Sequence, residues 1–131
     1  MLRKYALTAV FLTAFGLLAS ANQVGAQIRS RVRFTRGAST ATVRGRITGY
    51  KYVDYIIGAR AGRALKLRLQ TTGNAEIVVF TPSDENVEGA NGLEYTGEIE
   101  YTGDYKIRVL QRRAFARRNN ASNYTLRISI E

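Results

Sequence analysis

The chain has 131 residues, enough for one domain. It carries 20 lysines and arginines against 10 acids, and it contains no histidine, cysteine or tryptophan. These absences exclude a Ser-His-Asp triad, a cysteine nucleophile, a histidine general base, a zinc site on His or Cys ligands, any disulfide and a lipid-acceptor cysteine.

The first 26 residues read as a signal peptide for export. Arg3 and Lys4 precede an apolar run from Ala6 to Ala19, which is shorter than the roughly 20 residues of a spanning helix. Small residues offer cleavage after Ala21 or after Ala26, leaving no membrane anchor and a single domain over 27–131. Without Arg3 and Lys4, 18 basic residues remain against 10 acids, a net charge of +8.

The remainder is dominated by period-two alternation, the pattern of half-buried strands. Leu65, Leu67 and Leu69 share one face, and Lys66, Arg68 and Gln70 the other. Tyr105, Ile107 and Val109 alternate with Lys106 and Arg108, and Tyr124, Leu126, Ile128 and Ile130 alternate with polar residues. Turn signals at Gly37, Gly49, Gly62, Gly73-Asn74, Pro82-Ser83-Asp84, Asn91-Gly92 and Gly103-Asp104 divide the pattern. Strands are predicted near 29–35, 41–48, 52–59, 64–70, 75–80, 93–98, 104–110 and 123–130, with 82–92 an irregular acidic loop. The fold class is all-β, about seven to eight antiparallel strands in an antiparallel β-sandwich or a small barrel.

Charge is unevenly spread. From Arg29 to Arg68 the only acid is Asp54, whereas Glu76 to Asp104 holds eight acids and no base. Four arginines then crowd into the stretch Gln111 to Asn120: Arg112, Arg113, Arg117 and Arg118, with Phe115 among them. A solvated hairpin explains such a cluster, and so does a contact surface. Arg113 and Arg117 are four apart, so a helical turn would project both from one side. A second candidate is the turn Gly49-Tyr50-Lys51-Tyr52, followed by Tyr55. Tyrosine rings at a turn supply rigid contact area, and alternation points Tyr50 outward and Tyr55 into a sheet face. The acids Asp84, Glu85, Glu88, Glu94, Glu98, Glu100 and Asp104 match no calcium-loop spacing and read as a solvated face. Basic charge with aromatics also fits a polyanion, but no nucleic-acid motif is present. No pattern assembles the remaining carboxylate, hydroxyl or amine groups into a catalytic set, so the chain reads as a non-enzyme without cofactor or metal.

Several segments together carry a family likeness: Val32-Arg33-Phe34 with Gly37; Gly45, Ile47 and Gly49-Tyr50 with Tyr52; Ala59-Arg60-Ala61-Gly62; and Gly103-Asp104-Tyr105. Most specific is Arg108-Val109-Leu110-Gln111, Arg113, Ala116-Arg117 and Asn119, closed by Tyr124. From Val32 to Ile130 the sequence resembles the periplasmic inhibitors of goose-type (g-type) lysozyme of Gram-negative bacteria. Its strand frame is also similar to secreted pre-peptidase C-terminal β-sandwich modules, which leaves a glycan- or protein-binding module as the alternative. The inhibitor resemblance implies a periplasmic β-sandwich that occludes the acidic substrate cleft of a g-type lysozyme by loop insertion. It implies lysozyme contacts at Tyr50, Arg113 and Arg117; Tyr52, Arg112, Phe115 and Arg118, from the same turn and Arg cluster, are candidate secondary contacts. One departure is Glu100-Tyr101-Thr102-Gly103, where Thr102 replaces serine and the usual proline is absent.

Overall fold

The computed structural model describes residues 28–131, and the expected signal peptide over 1–26 lies outside the described residues. Nine strands and one helical turn follow in order. They are β1 (Ile28–Arg31), β2 (Thr40–Thr48), β3 (Val53–Ala59), β4 (Ala64–Thr71), β5 (Ala75–Phe80), β6 (Asn86–Gly92), β7 (Glu94–Glu98), β8 (Gly103–Gln111), α1 (Arg113–Ala116) and β9 (Ala121–Ile130). One sheet has the order β1-β3-β8-β5-β6 and the other β2-β9-β4-β7.

The two sheets enclose the core that the alternation predicts. Leu65, Leu67, Leu69, Tyr105, Ile107, Val109, Leu126 and Ile128 are all buried, and Lys66, Arg68 and Gln70 face water. Each buried aliphatic side chain contributes about 1.5–3 kcal/mol through removal of apolar surface from water. Alternation succeeds because each strand has one face on this core and one in solvent.

The antiparallel β-sandwich is as expected, and two details need correction. The stretch 82–92 is not wholly irregular, because Asn86–Gly92 forms β6 on the edge beside β5. Only Val87 and Ala90 turn toward the core, the pairing shifts register between Val78 and Phe80, and Gly89 and Gly92 adopt positive φ. That broken pattern hides the strand from a period-two reading. The first strand ends at Arg31 instead of near residue 35. After the bond from the Val32 N–H to the Ile56 carbonyl, the chain leaves for the other sheet, with Val32 buried and Phe34 packed against the core. The edge strand β1 pairs with β3 in parallel, and the other strand pairs among the described residues are antiparallel.

A polar clasp joins the layers inside the core. Tyr55 from β3 and Tyr124 from β9 meet edge to face, and their buried hydroxyls hydrogen-bond at 2.6 Å. The Tyr124 ring lies over Gly45, its cross-strand partner on β2, where a Cβ would overlap the ring. Glycine is needed there because the tyrosine occupies the space a side chain would take. Burial holds both phenols above the ordinary tyrosine range. Their neutral forms are therefore favoured by folding. Stability is fully present below the unfolded tyrosine range, about pH 10, and falls as pH rises above it.

Tyr124→Phe removes one hydroxyl and leaves Tyr55 without this partner. The expected loss is about 1–3 kcal/mol in urea denaturation, with part recovered in the double variant Tyr55→Phe/Tyr124→Phe, which buries no unmatched hydroxyl. Strict additivity of the two single losses would show that the clasp does not couple the rings.

Candidate functional site

Both loops singled out from the sequence lie at the same end of the sandwich. The Tyr50 turn connects β2 to β3 and the Arg segment connects β8 to β9, so each crosses from one sheet to the other. The turn from β4 to β5 makes the third crossing at this end, with Ala75 paired to Gln111.

The Arg segment forms the helical turn that its spacing permits. The Arg117 N–H donates to the Arg113 carbonyl at 3.0 Å, and the Ala116 N–H to the Arg112 carbonyl at 2.9 Å. Residues four apart on such a turn project from one side. Ala116 is the buried contact, Phe115 is half-buried, and Arg113, Arg117 and Arg118 face solvent. Asn119 ends the turn at φ 56° and returns its N–H to the Ala116 carbonyl at 2.9 Å. Asparagine tolerates this left-handed conformation better than most residues.

The Tyr50 turn closes through the Lys51 N–H and the Thr48 carbonyl at 3.2 Å, with Gly49 at φ 59°. That φ favours glycine. Space demands it as well, since a Cβ on Gly49 would lie 2.8 Å from the Asn119 side-chain oxygen. Tyr50, at 63% exposure, is the most exposed large hydrophobic side chain among the described residues, while Tyr55 at 5% is core, as alternation implies.

The two loops are tied together from beneath by one side chain. Gln111 occupies the inward position that follows Tyr105, Ile107 and Val109 on β8, and it is buried. Its amide nitrogen donates to the Asn120 carbonyl at 2.7 Å and to the Gly49 carbonyl at 3.2 Å. Its amide oxygen accepts from the buried Ser122 hydroxyl at 2.6 Å, and that hydroxyl accepts from the Asn74 N–H at 2.9 Å. The Gly49 N–H adds a direct bond to the Asn120 carbonyl at 2.9 Å. These three crossings thus share one hydrogen-bond network. Sequence reasoning assigned Gln111 no role. The available signal was a polar residue on the core-facing phase of a strand.

Electrostatics separates the four arginines. Arg112 pairs with Glu76 at 3.1 Å, whereas Arg113, Arg117 and Arg118 make no ion pair among the described residues. Tyr52 is half-buried, with the Arg108 guanidinium 4.1 Å from its ring centre. Arg108 is in turn fixed by two hydrogen bonds to the buried Asp54 at 2.8 and 3.1 Å. The end therefore presents Tyr50, Arg113 and Arg117 on a braced base, with Arg118 beside them and Tyr52 engaged in that base. At the opposite end, Thr102 supplies a hydroxyl that accepts from the Ala61 N–H at 3.0 Å, so the departure from serine keeps the turn's acceptor.

Gln111→Leu keeps the volume but leaves the Gly49 and Asn120 carbonyls and the Ser122 hydroxyl without these partners. We expect a loss of about 1–3 kcal/mol in stability, with amide hydrogen exchange accelerated selectively at Gly49 and in the 112–120 segment. Uniform exchange across the sandwich would contradict the bracing role.

No family model matches the chain. An inhibitor of g-type lysozyme from Escherichia coli (strain K12) is 30% identical over 136 aligned positions, spanning 99% of this chain and 96% of that protein. Among solved structures, PliG from Aeromonas hydrophila, a periplasmic lysozyme inhibitor of g-type lysozyme, is 30% identical with a TM-score of 0.73, covering 79% of this chain and 96% of that one. PliG from Salmonella Typhimurium, described in the same words, is 25% identical with a TM-score of 0.67, covering 79% and 98%. With this identity sustained over nearly the whole length, the chain belongs to the family of inhibitors of g-type lysozyme.

Proposed function

We propose that this chain, exported to the periplasm by a signal peptide over 1–26, inhibits g-type lysozyme by occluding its substrate cleft. Arg113 and Arg117 enter the cleft and pair with acidic residues, and Tyr50 packs beside them. The protein acts by contact and performs no catalysis of its own. The observation that carries this reading is the pair of solvent-facing guanidiniums four apart on a helical turn, without ion-pair partners among the described residues, next to the tyrosine most exposed among them.

The physical argument is one of stored electrostatic capacity. An arginine already paired in its own fold must break that pair to bind, as Arg112 would with Glu76. Among the described residues Arg113 and Arg117 have no such pair to break. In a water-excluded cleft, each charge-assisted hydrogen bond contributes about 1.5–3 kcal/mol. The planar fork also suits a carboxylate better than a lysine ammonium does. The network under the loops lowers the ordering cost of binding, because the backbone that carries the contacts is already set.

Arg113→Ala and Arg117→Ala should each weaken inhibition of a g-type lysozyme by about thirtyfold or more, because truncation strands a desolvated partner charge at a cost of about 2–5 kcal/mol. Circular dichroism and the denaturation midpoint should stay at wild-type values, and the lysine substitutions should restore only part of the inhibition. Turbidity clearing of a cell suspension provides the assay, and wild-type inhibition by both alanine variants contradicts the mechanism.

A further inference from the structure

The outer face of the second sheet carries a feature that lysozyme contact at the loop end does not use. On three adjacent strands, β2, β9 and β4, the solvent-facing positions include Arg44, Arg46, Arg127, Lys66 and Arg68. No acid faces outward from these three strands; the nearest are on β7 and at the chain end. Of the five cations only Arg68 has an ion pair among the described residues, a 3.5 Å contact with the exposed Glu94.

The arrangement works against stability. Arg68 and Arg127 are direct cross-strand partners, and Lys66 is the next outward residue beside Arg68 on β4. Like charges set directly opposite on a sheet destabilise it. Protection of a sheet edge by charge accounts for arginines on β2, which is an edge strand. It does not account for Arg68 facing Arg127, because β4 and β9 are the interior strands of this sheet. A partner that supplies negative charge across the whole face resolves the repulsion.

The form of the face selects the partner. Arg68 and Arg127 face each other about 5 Å apart across strands, and Lys66 and Arg68, like Arg44 and Arg46, are about 7 Å apart along theirs. The cross-strand partners of Arg44, Arg46 and Lys66 are Thr125, Asn123 and Ser129. Between them lie Thr40, Thr42, Thr125 and Ser129, and no aromatic ring. Recognition of single-stranded nucleic acid by stacking needs aromatic platforms, which are missing here. Cations and hydroxyls spread over a sheet suit an anionic surface of many small headgroups, to which each basic residue near the surface adds attraction.

We propose that the β2-β9-β4 face adsorbs to an anionic lipid surface, independently of the lysozyme contacts. The test is co-sedimentation of the signal-free chain with vesicles of phosphatidylglycerol and phosphatidylcholine, against vesicles of phosphatidylcholine alone, at low and at physiological ionic strength. One variant removes three unpaired charges from the face: Arg44→Gln, Lys66→Gln and Arg127→Gln. A charge-matched control carries Arg33→Gln, Arg36→Gln and Arg60→Gln, which lie outside this face. We expect wild type to bind the anionic vesicles only, with salt-sensitive partition. The face variant should lose about tenfold or more in partition, and the control should stay within about twofold of wild type. Lysozyme inhibition should be unchanged in both variants, and the face variant should denature no earlier than wild type because the cross-strand repulsion is relieved. Equal losses in the two variants would reduce the effect to net charge and overturn the proposal. So would failure of wild type to bind the anionic vesicles, or displacement from them by duplex DNA at equal charge concentration.

Discussion

The end of the sandwich that carries the candidate site depends on one buried amide. Gln111 lies where the strand pattern calls for an apolar side chain, and its burial would be unfavourable if its polar atoms had no partners. It is satisfied only because the Gly49 turn, the segment ending at Asn120 and Ser122 all converge on it. The dependence is mutual: the crossings need the amide to match their carbonyls, and the amide needs the crossings to be tolerated inside. A fully satisfied buried network of this kind specifies one geometry, since partial matching costs more than an apolar replacement. Because each crossing joins the two sheets, the end is braced against both layers, and the short helical turn needs little stability of its own.

Folding sorts the charges that the linear sequence separates into blocks. The acid-rich segment 76–104 supplies β6, β7 and the turns at the end away from Tyr50, where Asp84 pairs with Lys106 and Asp104 with Arg31. Both carboxyls are held below the ordinary range chiefly by those hydrogen bonds. Only Glu76 of this segment pairs with an arginine of the functional end, and it engages Arg112. Asp54 is committed to Arg108 in a stacked, hydrogen-bonded arrangement beneath Tyr52. Among the described residues Arg113, Arg117 and Arg118 are left without ion pairs, a positive end of the kind that, under the proposed function, would draw in a negatively charged cleft.

Much of this was legible before the structure. The period-two runs located seven strands closely because most of their inward residues are aliphatics and tyrosines, as in Leu65-Leu67-Leu69. The outward Tyr50 and inward Tyr55 followed from the same phase. The i, i+4 spacing of Arg113 and Arg117 held the information that a turn would align them. What escaped the sequence was relational. Strand β6 has too few apolar residues and too many glycines to show a period. The parallel pairing of β1 has no local signature, since all four of its residues are exposed. Gln111 was visible only as an anomaly of phase, because its partners are contributed by Gly49, 62 residues earlier, and by Asn120 and Ser122 across the turn. Hydrogen bonds between crossings are properties of the closed sandwich, and no window of sequence contains them.

In the proposed complex, two guanidiniums without ion pairs among the described residues meet carboxylates in a lysozyme cleft. A double-mutant cycle measures that contact directly, with Arg113→Ala or Arg117→Ala in the inhibitor combined with a cleft carboxylate of a g-type lysozyme changed to its amide. The account predicts a coupling free energy of about 1.5–7 kcal/mol for at least one arginine–carboxylate pair, the range of close interfacial charge pairs. Additive losses for every pair would contradict it.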